Sequence, residues 1–396
     1  PSTSNAMPKA KAEAKQKADP RWGEAPWKID FTPAQRSIPE KVDVAIIGGG
    51  FTGLAAAAWL RVLAPSSSVA VFEAGRIGAG ASGRTGGMAL GETAAGDLAG
   101  LGDVLDGFEK ILRQLNVECD LSLPGAWEIG RGDSLPNSPI EWSDSGTLRV
   151  VKEVPGGTLD PGKLVCGLAR AAENLGAIIF ENAPVERVHR GERGSLELGG
   201  NRASAGKTTA GKILFATNAL SLGLAGLARG MHPRLTLAAT TAPLAEGQLE
   251  AIGLGQGKPF YTVDLPYLWG RVLADRSIIW GAGLVSAPDE RDLERVEISA
   301  PEPARMFAAL EKRVRGLHPA LRAAEFTRRW GGPILFRDSW EPVFDWHPER
   351  RERGRDAIVL GAYAGHEVAL SSYLGAWATE ILLGKRVLPE WGWISS

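Results

Sequence analysis

The chain of 396 residues is 44% hydrophobic and 23% charged, ordinary proportions for a globular protein with enough length for two substantial cores. Its formal net charge of −1 offers no electrostatic footprint for nucleic acid or for an anionic membrane surface. Two cysteines in amphipathic stretches, Cys119 and Cys166, and five histidines at 189, 232, 318, 347 and 366 exclude a disulfide framework and a local metal site, and suggest a cytoplasmic address.

Residues 1–6, with Ser4-Asn5-Ala6 before Met7, read as the remnant of a cleaved tag. Residues 8–19 carry four lysines and no apolar core, so they lack the hydrophobic region of a secretory signal. Trp22 and Trp27 lie among prolines and suggest an arm laid over the body, so that residues 1–40 form a leader to the fold. The most apolar stretch, residues 45–60, is broken by a glycine turn, and no integral membrane span is expected.

From Val42 to Glu73 the order is strand, glycine turn, helix, strand. Val42, Val44, Ile46 and Ile47 suit a parallel strand buried on both faces. Gly48-x-Gly50-Phe51-Thr52-Gly53 then supplies a tight turn, a backbone bare enough to approach a pyrophosphate, and close seating of the helix Thr52–Leu63. The amides of that helix's first turn hold a diphosphate without lysine. Glu73, twenty residues past Gly53 at the end of the strand Val69–Phe72, is placed to accept both hydroxyls of an adenosine ribose, and it repels a 2′-phosphate. This excludes NADP more firmly than it separates NAD from FAD.

The following loop, Ala74-Gly-Arg76-Ile-Gly-Ala-Gly80-Ala81-Ser82-Gly83-Arg84-Thr-Gly86-Gly87-Met88, is too rich in glycine for an ordinary connection, and its two arginines suit a phosphate or a flavin edge. It resembles the corresponding loop of the FAD-dependent D-amino-acid oxidase group of amine oxidoreductases, most closely the branch containing γ-glutamylputrescine oxidase. The resemblance extends over about residues 41–384. It implies an α/β fold in which a Rossmann-like FAD-binding domain carries an inserted α+β substrate domain built on an antiparallel sheet. On this reading residues 41–95, 156–225 and 346–386 form the discontinuous FAD-binding domain, and residues 96–155 and 226–345 the substrate domain.

Residues 103–115 have helical apolar spacing, and 127–131 and 147–151 read as short strands. Asp160 and Pro161 mark the start of a helix that ends at Gly176. Strands are expected at 177–180, 185–189, 195–198 and 212–218. The resemblance places Val185 at the adenine edge and the Ala216-Thr217-Asn218 turn beside the cofactor. Further on, 235–242 and 277–281 read as strands, 259–265 with 267–273 as a hairpin, and 303–315 as a helix with Phe307, Leu310 and Val314 inward.

Tyr267 and Trp269 fall where the family has paired aromatics facing the flavin, although aromatics in a sheet also serve as core. Arg271 is a candidate clamp for a substrate carboxylate, with a solvated strand face as the alternative. Trp330-Gly331 resembles the family's stretch that returns to the cofactor. Gly361-Ala-Tyr363-Ala-Gly365-His366-Glu367-Val368 resembles its C-terminal flavin motif, with a helix at 368–383 aimed at the pyrimidine side of the ring. There is no cysteine after Cys166 and no histidine in the glycine loop, which favours non-covalent FAD. Ile279 stands where the sarcosine-oxidase branch uses a lysine to activate O2.

What the resemblance implies is oxidation of a small amine or amino acid, with hydride transfer to flavin N5, hydrolysis of the imine, and reoxidation of the flavin by O2. Tyr267, Trp269, Tyr363 and His366 are the residues expected around the reacting amine. The alternatives are a dehydrogenase passing electrons to a quinone or protein acceptor, and an FAD-binding module without turnover.

Overall fold

The computed structural model describes residues 20–190, 196–199, 207–227, 229–350 and 354–394. The expectations for residues 1–19 and for Ser195 lie outside these. The opening strand, Lys41–Ile47, pairs in parallel with Val69–Phe72 on one side and Thr208–Phe215 on the other. All four residues of Val69–Phe72 are buried, as are Val42, Val44, Ala45, Ile46 and Ile47, because helices or loops cover both faces of this sheet. Ile178–Phe180 extends it in parallel at one edge and Ala357–Gly361 at the other, beyond which Val343–Trp346 is antiparallel. The hairpin Arg187–Arg190 with Leu196–Gly199 hangs on Thr208–Phe215. The strand expected at 212–218 thus begins earlier and stops at Phe215; Asn218, at φ 48°, belongs to the turn.

The first helix, Phe51–Leu63, lies against Pro161–Asn174 and the last helix, Glu367–Leu382. Two glycines allow close seating, Gly53 that of the first helix on its own turn and Gly375 that of the last helix on the first. A Cβ at Gly53 would lie 2.0 Å from the Gly48 carbonyl oxygen, and one at Gly375 would lie 2.4 Å from that of Thr52. Ala55–Ala58 is wholly buried, and the last helix is enclosed on nearly every side, as expected of an interior helix. Asp160 caps its helix by accepting from the Lys163 N–H at 2.9 Å, and Asp103 caps Val104–Leu115 in the same way through Asp106.

The second sheet has the order Phe326–Arg337, Met231–Thr241, Ile278–Ser286, Trp269–Val272, Phe260–Thr262, Ala126–Gly130, Thr147–Val154, Trp142–Ser143. Every pairing is antiparallel except Phe260–Thr262 with Ala126–Gly130. One face packs its aromatics into a core, where Trp142, Phe260 and Trp280 meet with ring centroids 5.0–5.5 Å apart. The helix Pro301–Leu317 buries Phe307, Leu310 and Val314. Along the opposite face the register aligns Glu128, Tyr261, Trp269, Gly281, Ala238 and Trp330 in one row across five neighbouring pairings. Large side chains flank two small ones in that row, and the Trp269 ring lies over Gly281.

Candidate functional site

Two cavities result. The first, of about 110 Å³, follows the glycine turn and the ends of the parallel strands. Of the residues expected to hold a cofactor it is lined by Gly48, Gly50, Phe51, Thr52, Glu73, Ala74, Gly80, Ala81, Ser82, Val185, Ala216, Thr217, Asn218, Tyr363 and Glu367. The side of an open parallel sheet beyond its carboxyl ends is where such folds take ligands. Glu73 accepts from the Gly49 and Gly75 N–H groups, each at 2.8 Å, yet burial wins and raises its pKa. The Phe51 N–H, at the start of the helix, donates to Ser82 Oγ at 2.9 Å. Asn218 Oδ1 accepts from Ala362 N–H at 2.9 Å and so ties the two loops at the cradle's far end.

This cradle fits a dinucleotide. Nothing stands within 4 Å of a Cβ built on Gly80, and the Ser371 hydroxyl and Glu367 Oε2 are buried at its wall without hydrogen-bond partners. Buried polar atoms left single in a folded protein mark places where a partner is missing.

The second cavity, about 430 Å³, lies over the row of side chains on the second sheet. Trp269, Tyr267, Trp330 and His366 line it, with Arg84, Gly86, Met88, Gly365 and Glu367. The Trp269 indole is set between two glycines: a Cβ at Gly281 would stand 1.9 Å from the ring and one at Gly86 2.4 Å from it. Tyr267 is half exposed at the mouth, just after the Leu265–Pro266 cis bond. His366 is pushed towards its neutral form by burial, and its Nδ1 has no partner.

Tyr363, expected beside these three, lines the cradle instead, where its hydroxyl is bonded to that of Thr52 at 2.8 Å. The turn carrying it is strained, with Ala362 and Ala364 at φ 56° and 52°, so Tyr363 and His366 face different cavities.

Several expected cofactor residues line neither cavity. Gly53 seats the helix, Gly83 lies against the Gly78 carbonyl, Gly87 adopts φ 73°, Gly331 faces Leu235, Gly361 faces Asn218, and Val368 is in the core. Neither arginine of the glycine loop turns its charge to the cradle. Arg76 is partly buried and lines neither of these two cavities. The buried Arg84 guanidinium donates to the carbonyls of Gly23 at 2.8 Å, Trp22 at 3.2 Å and Gly331 at 3.3 Å, so it holds the N-terminal arm on the loop. Trp27 fastens the same arm by donating to the Thr85 carbonyl at 2.7 Å.

Arg271 is no carboxylate clamp. It donates to the carbonyls of Leu159 at 2.6 Å and Gly87 at 2.9 Å, stacks on Trp27, and burial lowers its pKa to about 10. A guanidinium drawn into the glycine loop is a structural bracket.

Sequence reasoning missed Tyr261, Glu92, Phe336 and Trp340. Tyr261 lines the second cavity and its hydroxyl donates to Glu92 and, at 3.1 Å, to Glu128; burial pushes the phenol's pKa up. Phe336 and Trp340 complete the aromatic wall. No local pattern marks these residues, because strand register places Tyr261 and Phe336 while Glu92 and Trp340 come from loops that only the tertiary fold brings alongside.

The family model for FAD dependent oxidoreductases, DAO, matches residues 43–381. Gamma-glutamylputrescine oxidoreductase of Escherichia coli (strain K12) is 27% identical over 86% of this chain and 84% of its own. A probable oxidoreductase OrdL of Rhizobium meliloti (strain 1021) is 25% identical over 87% and 84%. Among solved structures, glycine oxidase from Geobacillus kaustophilus superposes with a TM-score of 0.63 at 18% identity, covering 88% of this chain and 96% of that one. L-proline dehydrogenase from P. horikoshii gives 0.66 at 18%, covering 89% and 96%. At these identities the structures speak for the fold alone.

Proposed function

The chain belongs to the DAO family of FAD-dependent oxidoreductases, and from that premise we propose that it oxidises the carbon–nitrogen bond of a small amine held in the aromatic cavity. The observation that carries this reading is that the dinucleotide cradle and an apolar, aromatic hollow lie side by side and share a lining residue, Glu367. Bound FAD supplies the chemistry by accepting two electrons and the hydrogen taken from the substrate carbon. The backbone of the turn Gly48–Gly53 would hold the pyrophosphate at the helix start, Glu73 the ribose hydroxyls, and Val185 the adenine. No covalent attachment is expected, since neither cysteine lines either cavity and burial pushes Cys119 up to about 12.

Trp269 and Trp330 shape the hollow and exclude water, Tyr267 guards its mouth, and His366, held towards its neutral form by burial, faces the bound amine. The product imine is then hydrolysed to a carbonyl compound. Arg84, engaged with backbone carbonyls, is the only arginine or lysine among the described lining residues, which favours an amine over an amino acid whose carboxylate needs a cation. O2 is the proposed acceptor. The absence of a lining lysine and the buried, uncharged Ile279 favour as second reading a dehydrogenase that passes electrons to a quinone or carrier protein.

The test is anaerobic mixing of the FAD-loaded protein with polyamines, γ-glutamyl amines, N-methyl amino acids and D-amino acids while following the flavin band. Bleaching by an amine lacking a neighbouring carboxylate is the expected result, and admitting air identifies the acceptor. Bleaching by amino acids alone would overturn the substrate class, and a flavin left oxidised by every compound would overturn the proposed activity.

A further inference from the structure

Among the described residues Glu367 alone lines both the dinucleotide cradle and the amine cavity. It is the first residue of the last helix, and its Oε2 is enclosed without a hydrogen-bond partner. Burial pushes its carboxyl up, opposed only in part by the N–H groups of Gly365 and Glu367 itself; no cationic side chain is among the groups acting on it. The titratable groups around it are few. His366 precedes it, held towards the neutral form by burial with Glu92 acting the other way. Tyr363 faces it from the strained turn, its phenol raised by burial and further by Glu367. The strand Met88–Leu90, packed on the same helix, leads to Glu92, and the first turn of the first helix presents the Thr52 hydroxyl.

We propose that Glu367 is the site of proton uptake coupled to flavin reduction: its carboxylate binds a proton when the ring at this junction is reduced and releases it on reoxidation. A ring held by this cradle would have to reach Glu367, where the cradle and the hollow meet, for hydrogen to pass to it from a carbon bound in the hollow. Two electrons and one proton convert the oxidised ring to an anion. A second proton converts Glu367 from carboxylate to carboxylic acid, and the electrons come from the amine or, in the test, from an added reductant. The cause is like-charge repulsion at a carboxylate on which, among the described residues, no cationic side chain acts, and protonation removes it. Reduction therefore raises the pKa of Glu367. Between its values in the oxidised and reduced protein, the midpoint potential falls with pH by one additional proton per two electrons. Below both values Glu367 is protonated throughout and adds nothing to the slope.

The inference rests on the FAD assignment and on the ring reaching Glu367; its readouts need no amine, so a failure of the proposed substrate class leaves it standing. The experiment is dye-equilibrated reduction of FAD-loaded wild type, Glu367→Gln and Glu92→Gln over about pH 5–10. Proton uptake on dithionite reduction is followed in parallel with an indicator dye. The expected result is a segment of steeper slope, with extra proton uptake, in wild type and Glu92→Gln, and its loss in Glu367→Gln together with a higher potential at the alkaline end. Parallel curves and equal proton uptake for wild type and Glu367→Gln would overturn the proposal, as would loss of the extra proton in Glu92→Gln instead. Should Glu367→Gln fail to fold, Glu367→Asp keeps a carboxyl at a shifted distance. The steep segment must then persist at a displaced pH, and an unmoved segment would refute the assignment.

Discussion

Replacing Gly281 by alanine probes the row of side chains on which the amine cavity is built. The new Cβ would stand 1.9 Å from the Trp269 ring. Carbon atoms in contact rest about 3.5–4.0 Å apart, so the indole or the strand must give by about 1.5–2 Å. The indole has little room to retreat, because the Gly86 backbone lies close on it as well, and a Cβ there would stand 2.4 Å from the ring. It therefore moves into the hollow. Overpacking of this kind costs about 1–3 kcal/mol, and a misplacement of about 1 Å at a reacting centre costs about 100-fold in rate. Gly281 lines no part of the dinucleotide cradle, so FAD content should be unchanged. Gly316 is the control, inside the helix Pro301–Leu317 with nothing within 4 Å of its Cβ; there alanine should stabilise by about 1 kcal/mol. Urea denaturation and stopped-flow flavin reduction by the reactive amine are the assays. Wild-type stability together with a wild-type reduction rate in Gly281→Ala would refute the placement of Trp269.

The Tyr363–Thr52 hydroxyl pair should show coupling: Tyr363→Phe and Thr52→Val each leave a buried hydroxyl single at about 1–3 kcal/mol, and the double variant should lose clearly less than the sum. Additive losses in chemical denaturation would mean that the bond contributes nothing. Asp43, which accepts from the Ser68 N–H at 2.7 Å and the Ser68 hydroxyl at 2.8 Å, has its pKa lowered by those bonds, the backbone one first. Its stabilisation is present above the unfolded value of 3.8 and is lost as pH falls through the lower folded value. Because the carboxylate is largely exposed and screened, Asp43→Asn should cost under about 1 kcal/mol at neutral pH, and the difference from wild type should close in acid. A difference that grew on acidification would contradict that sign.

Local physics made the cofactor cradle legible in the chain. The run Val42–Ile47, the turn Gly48–Gly53 and Glu73 are contiguous, and each role depends on backbone conformation and near neighbours: a buried strand, a turn without Cβ, a carboxylate at a strand end. The Asp103 and Asp160 caps were readable for the same reason. The aromatic cavity was legible only in part: Tyr267, Trp269, Trp330 and His366 were expected at the site and line it, whereas Tyr261, Phe336 and Trp340 were not foreseen. Trp330 is far along the chain from the hairpin carrying Tyr261 and Trp269, and it joins their row only because four strand pairings share one register, while Glu92 reaches Tyr261 from a separate loop. Charges were equally opaque. Arg84 and Arg271 look alike as candidate anion binders, but their roles depended on which backbone carbonyls tertiary folding left in need of donors.

The sequence by itself thus determined the nucleotide-binding unit, because hydrophobic burial, glycine sterics and helix-end amides act over a few residues. Tertiary structure alone decided the substrate hollow, the division of Tyr363 from His366, and the exposure of Glu367 to both cavities. Those depend on side-chain direction after distant strands and a strained turn have been brought together, and no short-range interaction encodes that geometry.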